Sequence, residues 1–376
     1  MTVEDRQGNG KVLTLWTRSS VATAAGSAYN LRPPGMSSAR TTEILPTHTP
    51  ALFQAAVKRA ADLLRAGEVV VLPTETVYGL AANALNPTAV QRIYEIKGRP
   101  SHNPIIVHVA GRVMAQECAA HWPKEAEQLA EAFWPGPLTI VLPRKPVVPD
   151  IVTAGGDTVG LRWPSHPFIQ EVIKLCGFPL AAPSANLSNQ LSPTNAQHVA
   201  KQLAGKVQLI VDGGQAQVGI ESTVIDLVSQ PPRVLRHGMI HSESLLAVTG
   251  ALAGEKAMVS GEVLRSPGML QKHYSPKARL IISEWTDAAQ LLGDLAGAKA
   301  HLPTTHVISH TRIPLHADLA NVSVIPHDAE AFARAIYGEL HRCDEEGASL
   351  IVVEAVPPTA EWQGIADRLR RASVPA

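Results

Sequence analysis

The sequence predicts an α/β protein: a twisted mixed sheet with helices, followed by a smaller parallel α/β unit. Three observations carry that reading. Short apolar runs alternate with segments of helical period from about residue 50 onward, and several of these runs end in small polar residues at turns, where α/β proteins receive ligands. The strands expected between 207 and 236 follow one another closely, which calls for antiparallel as well as parallel pairing. From 278 to the end the order is strand then helix, the pattern of a small parallel sheet.

A chain of 376 residues accommodates two domains. Residues 1–48 read as an arm, 49–249 as the main domain, 250–277 as a linker and 278–376 as a small C-terminal domain. Residues 11–42 contain no Asp or Glu, are rich in Ser, Thr and Ala, and include Pro33-Pro34-Gly35. This is the composition of a disordered arm, or of sequence upstream of the true start, since Met36 begins a sensible shorter protein. A transit peptide has a similar composition, but Glu4, Asp5 and the lack of an amphipathic pattern count against one.

Leu52, Ala55, Ala56, Ala60, Leu63 and Leu64 recur at helical spacing and stop at Gly67, so a helix is expected over 51–66. Val69-Val70-Val71-Leu72 is a buried strand running into the hydroxyl-rich turn Pro73-Thr74-Glu75-Thr76-Val77-Tyr78-Gly79. Asn86-Pro87 opens a helix over 87–96 that delivers Lys97 and Arg99 at its end, before a strand over 105–109. A helical stretch over about 112–133 leads to Trp134-Pro135-Gly136-Pro137 and a strand through Leu138 to Leu142. Arg162 lies on the short strand around Thr158-Val159-Gly160-Leu161, where a charge needs an anion. A helix over 166–176 precedes a strand ending in Ala182-Pro183-Ser184-Ala185-Asn186, whose small residues admit a ligand close to the backbone. Helix 194–204 and strands 207–212, 222–227 and 233–236 complete the main domain. The last domain reads as strand 278–283, helix 286–297, strand 306–309, helix 328–342, strand 349–355 and helix 361–371.

Lys plus Arg equals Asp plus Glu at 33 each, so no global basic field argues for a nucleic-acid partner. Cys118, Cys176 and Cys343 lie far apart with no CxxC, which fits a reducing compartment and excludes a sequence-local zinc site. No run of 18 or more apolar residues is present, so a soluble, cytoplasmic protein without a membrane span is expected. The converging loops offer cations (Lys97, Arg99, Arg162, Arg236), hydroxyls (Thr74, Thr76, Thr158, Ser184, Ser192, Ser222) and amides (Asn103, Asn186), but no nucleophile with its base. The glycine-rich run 213–219 is followed by Ile220-Glu221 where a Walker loop needs Lys and Ser or Thr, so it is no P-loop. Such a set suits phosphoryl or nucleotidyl transfer, where catalysis is mostly positioning and charge neutralisation. Each residue also has a structural use: Arg162 pairing a structural carboxylate, Asn186 and Ser192 capping turns, His108 sitting satisfied in the core.

The joint pattern resembles the YrdC-like family in its long form, the threonylcarbamoyl-AMP synthases. The matching stretches are Pro73 to Leu80, Lys97-Gly98-Arg99-Pro100, Asn103-Pro104, Trp134 to Thr139, Ala182 to Asn186, Ser192-Pro193-Thr194, Glu221-Ser222-Thr223 and Leu235-Arg236. The linker stretch Ser266-Pro267-Gly268-Met269 through His273-Tyr274 and Pro276 also matches. The resemblance is close over about 50–283 and looser beyond, with Ala81 and Gly238-Met239 as small departures.

It implies a YrdC-like twisted mixed sheet followed by a small Rossmann-like parallel domain. The family's Lys-x-Arg and Ser-x-Asn signature falls on Lys97, Arg99, Ser184 and Asn186. The resemblance implies an ATP site made with these and with Asn103, Thr158, Ser192, Arg236 and, from a linker lid, Tyr274. It implies an L-threonine site from Thr76, His108, Arg162, the backbone at Ala182, and Ser222. The implied reaction joins L-threonine, bicarbonate or CO2, and ATP into threonylcarbamoyl-AMP, with Mg2+ bound through ATP and no metal held by protein side chains. The product would pass to a separate tRNA threonylcarbamoyl-transferase complex; contact with double-stranded RNA or tRNA is not required. Two rivals are a carbamoyl-adenylating relative from hydrogenase maturation, which would need accessory zinc segments that a chain without CxxC pairs lacks, and a non-enzymatic RNA-binding module. Zero net charge, few aromatics and no RNP-type motif argue against the latter.

Overall fold

The computed structural model describes residues 14–15, 41–254, 265–267, 274–314 and 318–373. They fall into two compact units. The larger comprises the described part of Ala28–Ser188 and Ser192–Leu270; the smaller comprises that of Met1–Ser27, Asn189–Leu191 and Gln271–Ala376. Most of the expected arm, and Gly268, Met269 and His273 of the linker, lie outside the described residues.

The first strand, β1 (Thr14–Leu15), belongs to the smaller unit. The larger unit opens with β2 (Glu43–Pro46), earlier than the expected start at 49. That stretch adjoins the acid-poor arm in sequence, but long-range pairing with Leu209–Asp212 makes it a strand. The helix α1 (Pro50–Arg65) starts where Thr49 accepts a hydrogen bond from the Leu52 amide and Pro50 occupies the first turn. Next come β3 (Val70–Leu72), β4 (Gly79–Asn83) and α2 (Pro87–Lys97), the last capped by Asn86. The strand β5 (Val107–His108) leads to α3 (Arg112–Cys118) and α4 (Lys124–Phe133); Pro123 between these two divides what reads in the sequence as one helical stretch. Then follow β6 (Leu138–Pro143), α5 (Asp150–Thr153), β7 (Thr158–Arg162), α6 (Pro167–Cys176) and β8 (Leu180–Ala181). The unit closes with α7 (Ala196–Leu203), β9 (Leu209–Asp212), β10 (Thr223–Asp226), β11 (Arg233–Arg236) and α8 (Ser242–Thr249).

Among the described residues these strands form one ten-stranded mixed sheet, ordered β11-β10-β6-β7-β5-β8-β4-β3-β9-β2. Successive side chains of a strand face opposite sides, and the core divides accordingly. Val70 and Leu72 pack with Phe168, Ile169 and the buried stripe of α1, whereas Val69 and Val71 pack with Val90, Ile93 and Leu129 on the other side. The sheet is mixed because neighbouring strands reverse direction: β5 runs parallel to β7 but antiparallel to β8, and β3 runs antiparallel to β4.

The smaller unit contains β12 (Arg279–Ser283), α9 (Ala288–Gly297), β13 (Thr305–Ser309), β14 (Asn321–Val324), α10 (Ala329–Glu345), β15 (Leu350–Glu354) and α11 (Gln363–Ala372). Its sheet, ordered β1-β14-β13-β15-β12, is parallel throughout. Trp285, Leu291, Leu295, Val307 and Val352 fill its core. No helix of the described residues is long and apolar enough to cross a membrane.

Candidate functional site

Lys97 is the last residue of α2, and Gly98 caps that helix with a left-handed φ of 59°, so the chain turns sharply before Arg99. Lys97 Nζ donates to the Ser184 carbonyl at 2.6 Å and to the Asn186 carbonyl at 2.5 Å. The amine thus ties the helix end to the loop after β8. Burial first, and the neighbouring charge of Arg99 second, pull the Lys97 ammonium well below its ordinary value. Arg99 folds back on its own loop: Nε donates to the Asn103 carbonyl at 3.1 Å, and Nη2 donates to Asn103 Oδ1 at 2.8 Å and to the Pro104 carbonyl at 2.6 Å. Among the described residues the buried Asn103 side-chain nitrogen has no hydrogen-bond partner.

A second group gathers at Ser222, beside β10. Its hydroxyl lies 2.8 Å from that of Thr139 on β6 and accepts from Arg236 Nη2 at 3.0 Å. Arg236 Nε donates to the Ser222 carbonyl at 3.0 Å and Nη1 to the Pro267 carbonyl at 3.2 Å. The segment carrying Pro267 is anchored from its other side by Arg265, 3.0 Å from the Asp226 carboxylate. Thr139, Thr158, Ile106, Pro104, Ser266 and Pro267 line one small cavity, so the Arg99 loop and the Arg236 group share a space.

The third group centres on Arg162, at the end of β7. Its Nη2 lies 2.8 Å from Glu75 Oε1, Nε lies 3.4 Å from the Gly136 carbonyl, and Nη1 has no hydrogen-bond partner among the described residues. Burial alone would raise the Glu75 carboxyl, but the charge of Arg162 outweighs it and holds Glu75 below the usual carboxylate range. His108, beside this pair, is pushed down to about 3, by burial first and by Arg162 second, and is neutral at ordinary pH. Its Nδ1 has no hydrogen-bond partner among the described residues. Thr76 is held in a tight turn in which the Thr74 hydroxyl, 3.0 Å from that of Thr76, also donates to the Val77 carbonyl at 2.6 Å.

The remaining sequence-predicted residues are placed as follows. Ala182, at 6% exposure, gives its amide to the Ile106 carbonyl at 3.2 Å. The Ser192 hydroxyl donates to the Glu221 carboxylate. Asn186 Nδ2 donates to the Leu187 carbonyl at 2.8 Å. Tyr274 belongs to the smaller unit, where its ring centroid lies 6.2 Å from that of Tyr337 and the Arg368 guanidinium sits 5.3 Å from its centre. Sequence reasoning left open that Arg162 pairs a carboxylate of the protein, and it does. It missed Glu75 as that partner, together with the Thr139 and Pro267 contacts. Glu75 stands inside a stretch read for its hydroxyls, and only the tertiary contact gives it a role.

A family model described as "Telomere recombination" matches residues 62–238, and one described as "Threonylcarbamoyl-AMP synthase, C-terminal domain" matches residues 240–374. The threonylcarbamoyl-AMP synthase of Pyrococcus abyssi is 40% identical over 322 residues, which cover 84% of this chain and 94% of that protein. The chain belongs to the threonylcarbamoyl-AMP synthase family. The Bacillus subtilis member is likewise 40% identical, over 88% of this chain and 95% of its own length. The crystal structure of P. abyssi Sua5 complexed with L-threonine superposes with a TM-score of 0.80 at 38% identity, covering 88% of this chain and 98% of that one. Family membership and the expected fold, a large mixed sheet with a small parallel one, are therefore established together.

Proposed function

We propose that this protein is a threonylcarbamoyl-AMP synthase that makes L-threonylcarbamoyladenylate and pyrophosphate from L-threonine, bicarbonate or CO2, and ATP. The observation that carries the reading is the set of buried cations in the converging loops, with the Lys97 amine held by two backbone carbonyls. Lys97, Arg99 and Arg236 are 3%, 8% and 4% exposed, and carbonyls, an amide oxygen and a hydroxyl receive their hydrogen bonds. Carbonyl oxygens solvate the Lys97 ammonium without cancelling its charge, and buried cations gathered in neighbouring loops favour a polyanion.

In the proposed reaction the threonine amine takes up CO2, or the equivalent from bicarbonate, to give a carbamate. A carbamate oxygen then attacks the α-phosphorus in line, the bond to the bridging oxygen breaks, and pyrophosphate leaves with its electron pair. Arg99, Arg236 and Lys97 neutralise charge that moves onto the leaving group, with Asn103, Thr158, Ser184, Asn186 and Ser192 placing the nucleotide. An arriving triphosphate favours the protonated form of Lys97. The threonine α-carboxylate meets Arg162 at its open Nη1, with Ser222, Thr76, neutral His108 and the Ala182 backbone around the rest of the molecule. A small site near Thr76 separates threonine from serine by one methyl, worth about 1–3 kcal/mol. Magnesium is proposed to enter on the triphosphate oxygens; the described residues include no group of three or more His, Cys, Asp or Glu side chains that could cage it, and no step is assigned to it. The product would pass, in the cytoplasm, to a separate tRNA threonylcarbamoyl-transferase complex.

The test is pyrophosphate release from ATP and bicarbonate, with and without L-threonine, for the native chain and for Arg99→Ala. Threonine-dependent release that falls at least about 100-fold in Arg99→Ala is expected, the size typical of losing a buried charge that stabilises a transition state. Release that ignores threonine would sink the reading and return attention to carbamoyl transfer or RNA binding.

A further inference from the structure

Glu75 has no part in the reaction above, yet it is a deeply set charge at 5% exposure. The turn that carries it is fixed at several points. Its own carbonyl accepts from the Val218 amide at 2.7 Å, the Thr76 carbonyl accepts from Gly219 at 3.1 Å, and the Thr74 hydroxyl closes the turn from within. The carboxylate therefore cannot swing to solvent without dismantling the turn.

Its contact with Arg162 is a buried ion pair. Oε1 is 2.8 Å from Nη2, so Glu75 meets the guanidinium at one terminal nitrogen. Nη1 has no partner among the described residues, and the Nε contact to Gly136 is long at 3.4 Å. Glu75 supplies negative charge at one terminal nitrogen and leaves the other open. The other titratable groups facing Glu75 are His108 and His166; burial is the first cause that depresses each, so neither brings a competing positive charge at neutral pH.

We propose that Glu75 is the resident counter-charge of Arg162: it keeps the guanidinium buried and ionised, leaves Nη1 to the amino-acid α-carboxylate, and holds the affinity for that carboxylate below what Arg162 alone would give. The proposal rests on reading Arg162 as the carboxylate site. A guanidinium buried without a counter-ion is costly, and a ligand carboxylate that relieves the cost binds tightly; a counter-ion already in place removes that gain and adds repulsion between two carboxylates. With Glu75 and Arg162 balanced, the ligand that preserves neutrality is a zwitterion.

Calorimetry on the full chain, native and Glu75→Gln, with L-threonine and with L-threoninol, which lacks the carboxylate, tests the affinity. Glu75→Gln should bind L-threonine about fivefold tighter or more and L-threoninol within about twofold of the native value, as expected for relief of an uncompensated buried charge. A folded Glu75→Gln chain that binds threonine no better, or worse, overturns the proposal. Should that variant be too unstable for calorimetry, ligand-free melting of native, Glu75→Gln, Arg162→Gln and the double variant decides the counter-charge. Glu75→Gln should lower the melting temperature of the native chain and raise that of Arg162→Gln; additive losses overturn it. An Arg162→Gln chain that binds threonine like the native one would instead overturn the carboxylate-site reading, and with it the affinity half of the proposal, while the melting cycle judges the counter-charge separately.

Discussion

Buried charge is handled differently in the two units. In the larger one Lys97, Arg99 and Arg236 give hydrogen bonds to carbonyls, an amide oxygen and a hydroxyl, and Arg162 keeps one terminal nitrogen unpartnered among the described residues, beside its counter-ion. In the smaller one the charges are closed on themselves. The Asp367 carboxylate receives Arg368 and Arg370 at 2.9 Å and Arg371 at 3.0 Å. Burial would raise its pKa, yet Arg368 first and Arg371 next hold it below the usual range. Glu354, at the end of β15, accepts from the amides of His310 at 2.7 Å, Thr311 at 2.9 Å and Arg312 at 3.2 Å. A closed network stabilises one conformation; an open one awaits a ligand. Similar burial therefore carries opposite meaning in the two places.

The sharpest way to break this contrast is Arg236→Met. It should lower kcat/KM for threonine-dependent pyrophosphate release by about a thousandfold, some 4 kcal/mol, while the ligand-free melting temperature falls only modestly. A large stability loss with activity preserved per folded molecule would make Arg236 another structural network member. The complementary change, Glu354→Gln, should cost about 2–3 kcal/mol in denaturant unfolding, because three amides and the Thr311 hydroxyl lose a charged acceptor. Activity per folded molecule should stay as in the native chain, and a drop in kcat would show that the smaller unit's network is not closed to function.

The mildest effect near neutral pH concerns protonation. His108 has a native value of about 3 against an ordinary 6.5, so between those limits the unfolded chain binds a proton that the native one does not. Stability then falls as pH drops from 6.5 toward 3, by about 1.4 kcal/mol per unit. His108→Asn should flatten that limb and leave stability above pH 6.5 without a slope from this group; equal acid sensitivity in both chains would assign the limb elsewhere.

Elements with strong local signals were legible in the sequence: the capped helices α1 and α2, the β-branched run of β3, and the strand-helix order of the smaller unit. Strand β4 was not, because Gly79-Leu80-Ala81-Ala82-Asn83 has little intrinsic preference for extended structure and is a strand only through pairing with β3 and β8. No element is expected from the sequence at α8 or β14, and β2 falls within the expected arm although that strand pairs with β9. The candidate site followed the same logic. Single cations in short loops stand out by type and spacing, so Lys97, Arg99, Arg162 and Arg236 could be picked. Their partners could not, since a backbone carbonyl carries no sequence signal and Glu75 meets Arg162 only when the sheet assembles.

The anchoring of Arg265 and Pro267 bears on where this protein can be divided. The two family matches meet near residue 239, which invites a cut there. Yet Asp226 takes its cation from Arg265, and Arg236 gives one of its donors to Pro267, both well past that point. A chain ended at the family boundary would keep every residue of the first match and still lose an acceptor from one of its buried arginines. The inherited module and the contacts that hold its arginine therefore end at different places.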